Sequence, residues 1–217
     1  MKKVAAIYTT FTLVEPLRKL FRLLLPKVEL YNIVDDSLIV EIMDKGKVTP
    51  NISKRLITYY QSGVAAGADI ILNTCSSVSE VVDKARKKIK VPVLKMDRPM
   101  AEVAVNSSER IGVLATVETT LKPTVGLIRS IAKEQQKKVT VIEGLAKWAF
   151  ESLEEGDKEE HDAILMKTAR QLAKKVEILV LAQGAMAHME RTIAETIKKP
   201  VLSSPRLGVL AIKKYLK

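Results

Sequence analysis

Short apolar runs of two to seven residues alternate along this chain with stretches whose apolar positions recur at helical spacing. The runs are Val4–Tyr8, Val28–Val34, Ile70–Leu72, Val91–Leu94, Ile111–Ala115, Val139–Ile142, Ile178–Leu181 and Val201–Leu202. Helical patterns lie between them, at Val14–Leu25, Ser53–Ala66, Ser79–Ile89, Pro123–Lys133, Asp162–Lys175 and Met189–Ile197. Continuous apolar runs mark strands buried on both faces, and their alternation with helices predicts βαβ units and a mainly parallel sheet.

The two halves repeat one pattern. Asp69-Ile70-Ile71-Leu72 leads to Cys75, and Glu177-Ile178-Leu179-Val180 leads to Gln183, which lies 108 residues further on. Val91-Pro92-Val93-Leu94 returns at the same offset in Lys199-Pro200-Val201-Leu202. Ala5-Ala6-Ile7-Tyr8-Thr9 matches Gly112-Val113-Leu114-Ala115-Thr116 at an offset of 107. These landmarks predict a duplicated α/β unit: a first lobe of residues 1–97 plus 207–217 and a second of residues 98–206.

Units of this kind bind ligands at the carboxyl ends of their strands. The residues there are rich in hydroxyls and in backbone donors at helix starts, which suit carboxylates. They include Thr10, Asp35, Thr74, Cys75, Ser76, Ser77, Asp97, Arg98, Thr116, Thr119, Thr120, Gln183, Gly184 and Arg206. Helix capping selects the same residue types one by one, so the weight rests on the collection.

Composition narrows the field. With 217 residues and 47% apolar content the chain can bury a sizeable core, and no stretch reaches the ~20 apolar residues of a membrane span. Its single cysteine excludes an internal disulfide and suits a reducing, cytoplasmic setting. The net charge of +11 raises nucleic-acid binding, but the lysines spread over helix faces without interleaved aromatics, which make up only 4%. No nucleic-acid or membrane partner is expected. His161 and His188 read as surface or capping residues, with His188 also a candidate proton shuttle near Gln183. Two histidines and one cysteine show no metal-ligand spacing, and no Gly-rich phosphate motif occurs, so neither a metal nor a cofactor is expected. Trp148 and Phe150 follow a strand and are candidates for a pocket wall or for core. Arg98 and Arg206 are candidates for a carboxylate partner, although solvated surface suits Arg98 at least as well.

Several segments together resemble the aspartate/glutamate/hydantoin racemase superfamily over nearly the whole length. Asn73-Thr74-Cys75-Ser76-Ser77-Val78 stands at the place of its first catalytic cysteine. Ile111 to Thr116 with Thr119-Thr120 resembles the opening of its second lobe. Leu181-Ala182-Gln183-Gly184-Ala185-Met186-Ala187 resembles the segment that carries its second catalytic cysteine. Asn32 to Leu38 and Ser203 to Gly208 look like signatures of an uncharacterised branch.

The resemblance implies two pseudo-symmetric flavodoxin-like lobes with parallel sheets and an active site in the cleft between them. It also implies a cofactor-independent racemase or isomerase with two facing cysteines. Here the second cysteine is replaced by Gln183, which is neither acid nor base near neutral pH. The expectation is therefore an enzyme acting on a small carboxylic acid or amino acid through Cys75 alone, of isomerase, decarboxylase or lyase type. Cys75 and Gln183 would be its catalytic pair, facing each other across one substrate. Thr10, Thr74, Ser76, Ser77, Thr116, Thr119, Thr120, Gly184 and Arg206 would bind that substrate. The rival is a non-catalytic carboxylate-binding protein with a vestigial racemase cleft. Their separating mark is the Cys75 thiol, which catalysis should depress in pKa. A homodimer is a fair expectation for the assembly.

Overall fold

A computed structural model describes residues 1–216; Lys217, which ends the first lobe in the sequence division, lies outside the described residues. The chain forms two compact units, Met1–Asp97 with Pro205–Lys217, and Arg98–Ser204.

The first unit holds β1 (Lys2–Tyr8), α1 (Val14–Leu24), β2 (Val28–Val34), α2 (Ser37–Lys45), α3 (Pro50–Ala65), β3 (Ile70–Asn73), α4 (Ser79–Ala85) and β4 (Val93–Lys95). Its strands form one parallel sheet in the order β2-β1-β3-β4, with Ile7 beside Ile33 and Asn73. Strand alternation divides β1 cleanly between two cores. Ala5 and Ile7 face one way, onto Leu38, Ile42, Leu56 and Val81. Val4, Ala6 and Tyr8 face the other, onto Leu17, Phe21, Val209 and Ile212. That second core explains why the chain returns to this unit at its end.

Local chemistry sets several helix boundaries. The Thr49 hydroxyl accepts the Ile52 N–H at 3.2 Å and Pro50 opens α3, so both N-terminal signals act together. Gly46, at φ 63°, ends α2 in the left-handed conformation that glycine adopts without strain.

The second unit repeats the plan with α5 (Arg98–Ser107), β5 (Arg110–Ala115), α6 (Glu118–Glu134), β6 (Thr140–Leu145), α7 (Ala149–Glu154), α8 (Lys158–Ala173), β7 (Ile178–Leu181), α9 (Glu190–Ile197) and β8 (Val201–Ser203). Its parallel sheet runs β6-β5-β7-β8, the same order position for position. Leu114, Leu179 and Leu181 pack on Leu165, Leu172, Met186 and Ile193. The last helix, α10 (Ser204–Ala211), leads into the first unit's closing segment.

Differences from the periodicity reading have local causes. The helix expected from Pro123 begins at Glu118 and carries Pro123 inside it, so Thr119 and Thr120 belong to its first turn and not to a loop. Four helices, α2, α5, α7 and α10, have no counterpart among the expected patterns. Among the described residues no helix is long and apolar enough to cross a membrane.

Candidate functional site

In the first unit the residues after β1, β3 and β4 meet around Cys75. Below it, the Asn73 side chain donates to the Cys75 carbonyl at 2.8 Å and accepts the buried Tyr60 hydroxyl at 3.1 Å. The Thr74 N–H and hydroxyl both donate to the Ile7 carbonyl, at 3.2 and 2.9 Å. Thr74 therefore ties the β3 end to β1.

Cys75, half-buried, precedes a 3₁₀ turn at Ser76–Val78. Burial pushes its thiol up, against hydrogen bonds from the Thr9 hydroxyl, from the Ser77 N–H and hydroxyl, and from the Val78 N–H. The net direction is upward, opposite to the depressed value that a catalytic thiolate base should have. Donors are present, but desolvation outweighs them. At neutral pH the group is a thiol, poised to give a proton more than to take one.

Asp97, the residue after Met96 beyond β4, is 3% exposed, and burial pushes its carboxyl up despite help from Ser76, Lys95 and Ser79. Ser79 Oγ lies 3.5 Å from Oδ1, and Oδ2 has no hydrogen-bond partner. Burial favours the neutral acid at such a position.

The second unit builds the corresponding turn around Gln183. Its Oε1 accepts the Thr116 N–H at 2.8 Å, and its Nε2 donates to the Thr116 hydroxyl at 2.8 Å. The amide is thus held in one orientation, with one Nε2–H spent on Thr116 and a second left to give. Gly184 opens the following 3₁₀ turn, Gly184–Met189.

The remaining candidates divide. Ser77 reaches the thiol and Ser76 reaches Asp97. Thr10 instead shares a hydrogen bond with Thr12 at 2.9 Å, and its neighbour Thr9 serves Cys75. The repeat contained that signal, because Thr9 is the counterpart of Thr116. Thr120 is buried, and its carbonyl accepts the Thr124 hydroxyl, while Thr119 is half-buried. Arg206 is exposed on α10.

Arg98 is engaged by Glu102 at 2.8 Å and Glu134 at 2.6 Å, which removes it as a carboxylate clamp. His161 is 2% exposed, not a surface residue. His188 places both ring nitrogens on oxygens, at Asp162 and at the Ala185 carbonyl. Trp148 is 70% exposed at φ 72°, and so is not a core residue.

The sequence matches the family described as Asp/Glu/Hydantoin racemase over residues 9–212. No curated protein matches it. Among solved structures it is similar to allantoin racemase from Klebsiella pneumoniae, at 13% identity over 100% of this chain and 88% of that one, with a TM-score of 0.74. Glutamate racemase from Francisella tularensis subsp. tularensis SCHU S4, in complex with D-glutamate, gives 14% identity over 99% and 81%, with a TM-score of 0.77. Picrophilus torridus aspartate racemase gives 16% over 99% and 94%, with a TM-score of 0.74. At such identities the structural likeness speaks for the fold, and the family match, running almost from end to end, speaks for descent. With that match over residues 9–212 and two equivalent parallel sheets, this chain belongs to the Asp/Glu/hydantoin racemase family.

Proposed function

We propose that this protein is a cofactor-independent enzyme acting on a small carboxylic acid or amino acid, with Cys75 as its only thiol acid–base group. In this reading Cys75 serves one face of the substrate, and Gln183, its counterpart in the second repeat, offers a hydrogen-bond donor and no acid–base group. The observation that carries it is the asymmetry of the two equivalent turns. One offers a proton carried by a thiol, and the other offers only a fixed hydrogen-bond donor.

A half-buried thiol with a raised pKa suits delivery of a proton to a carbanion or enolate. A step that generates such a species by loss of a carboxyl group as carbon dioxide, which leaves its electron pair on carbon, ends with protonation from the Cys75 thiol. Inversion of a stereocentre needs a second acid on the other face, and Gln183 cannot supply it.

The raised thiol also favours a second reading, a carboxylate-binding protein without chemistry. The two separate on one assay. The wild type and Cys75→Ser are incubated with aspartate and glutamate in deuterated water and followed by proton NMR. Loss of the Cα–H signal in the wild type alone supports the enzyme. Saturable binding of these acids by both proteins with no exchange supports the binding protein.

A further inference from the structure

The start of α8 and the turn after Gln183 bring together three metal-ligating side chains that lie outside the chemistry proposed above. His161 Nδ1 and His188 Nε2 both lie 2.8 Å from the same oxygen, Oδ1 of Asp162. The three donor atoms are all within 4.8 Å of one another. The two rings are nearly parallel, 6.1 Å between centroids with a 23° tilt. In sequence the histidines are 27 residues apart and form no recognisable ligand motif.

Donor counting shows what the cluster lacks. A neutral imidazole has one N–H and one lone pair. His188 faces oxygen at both nitrogens, the Ala185 carbonyl at 2.9 Å from Nδ1 and the Asp162 carboxylate at Nε2. If Nδ1 donates to the carbonyl, the neutral ring turns its Nε2 lone pair on a carboxylate oxygen, an arrangement that either a second ring proton or a metal ion between the two atoms makes favourable. A ring N–H donated to a backbone carbonyl is also how metal-binding histidines are commonly oriented.

We propose that His161, Asp162 and His188 form a binding site for one divalent transition-metal ion of the zinc type. Two imidazole nitrogens and one carboxylate oxygen suit such borderline ions and not magnesium or calcium, which prefer oxygen alone. Tetrahedral coordination with bonds of about 2.0–2.1 Å places donor atoms roughly 3.3 Å apart. The 2.8 Å contacts need open by only a few tenths of an ångström. His161 is buried and anchors the site, whereas Asp162 and His188 keep a quarter and a third of their side-chain surface exposed, leaving water access to a fourth position. The ion would pin the start of α8 to the turn Gly184–Met189, and so stiffen the segment that follows Gln183.

The test is calorimetric titration of zinc chloride into the tag-free chain near neutral pH. We expect one equivalent bound with micromolar affinity, weakened at least about tenfold in His188→Ala and in Asp162→Asn. Cys75→Ser should bind as the wild type does, which separates this site from thiol ligation. Should either cluster variant unfold, judged by circular dichroism, cobalt(II) added to the wild type decides. Visible absorption without a sulfur charge-transfer band supports the site, and a sulfur band overturns it. The proposal also falls if zinc does not bind, or if binding survives His188→Ala unchanged.

Discussion

Cys75 and Gln183 hold the same position in the two repeats. Each precedes a 3₁₀ turn after the third strand of its unit, with φ and ψ of −109° and 122° at Cys75 and −110° and 131° at Gln183. Their partners correspond as well. Thr9, beyond β1, reaches the Cys75 sulfur, and Thr116, beyond β5, holds the Gln183 amide. The backbone has kept its symmetry while the side chains have lost it. A thiol in the first unit corresponds to an amide in the second.

Alkylation of Cys75 should report its burial directly. Because the thiol is pushed up, its reaction with iodoacetamide should rise with pH along a curve displaced above that of a free cysteine peptide. Thr9→Val removes one hydrogen bond to the sulfur and should displace the curve further up. A midpoint at or below the ordinary thiol value near 8.5 would contradict the assignment.

The Thr116–Gln183 pair should matter through geometry. Gln183→Ala removes a donor that we assign to a developing oxyanion, for which a loss of roughly 10²–10³ in rate is typical. Thr116→Val keeps the backbone N–H but loses the hydroxyl acceptor, so the amide is freed at one end. A smaller loss is expected, with the thermal midpoint little changed. Equal rates for Gln183→Ala and the wild type would remove Gln183 from the machinery.

Asp97 gives a pH signature in stability. Its carboxyl is raised in the folded state, so folding favours the protonated form. The contribution is present at pH values below the ordinary carboxyl range and is lost as pH rises through the folded value. Each tenfold difference in proton affinity between the folded and unfolded chain is worth about 1.4 kcal/mol. Measured by denaturant unfolding between acidic and neutral pH, the wild type should lose stability relative to Asp97→Asn as pH rises. A constant difference between the two would mean that Asp97 folds as an ordinary ionised carboxylate.

Gly208 is a steric requirement at the return of the chain. A Cβ there would lie 2.7 Å from the Met96 carbonyl oxygen and 2.5 Å from Met96 Cγ. The side chain can move, but the backbone oxygen cannot move cheaply. Gly208→Ala should destabilise the fold by about 1–3 kcal/mol, read from the denaturation midpoint. Gly126→Ala, with open space around it, serves as the control.

The eight strands were legible because parallel strands buried on both faces read as unbroken apolar runs, and the duplication was legible because its landmarks kept their spacing. Helix α5 was not, since Arg98-Pro99-Met100-Ala101-Glu102-Val103-Ala104-Val105 mixes two periodicities and buries small residues such as Ala101 and Ala104. Strand-end position singled out Ser77, Thr116 and Gln183, but not that Thr116 holds the Gln183 amide, which depends on how the two strand ends pack. Thr9 and Thr10 are neighbours of one residue type, and only the match of Thr9 to Thr116 in the repeat separates them. The histidine cluster was hidden because its members come from α8 and from a turn 27 residues later, joined only by packing. Desolvation of the Cys75 thiol was equally hidden, because polar neighbours in sequence do not reveal how deeply a sulfur sits.

The most direct test of one-sided chemistry is deuterium incorporation read together with configuration. L- and D-aspartate and L- and D-glutamate are incubated separately with the protein in deuterated water, across a pH range reaching above the ordinary thiol value. Proton NMR gives exchange at Cα, and chiral chromatography gives inversion. Exchange that requires Cys75, rises with pH and leaves the configuration of the exchanging enantiomer intact is the predicted result. Efficient interconversion of the two enantiomers would contradict it, because a second acid–base group besides Cys75 would then have to serve the opposite face.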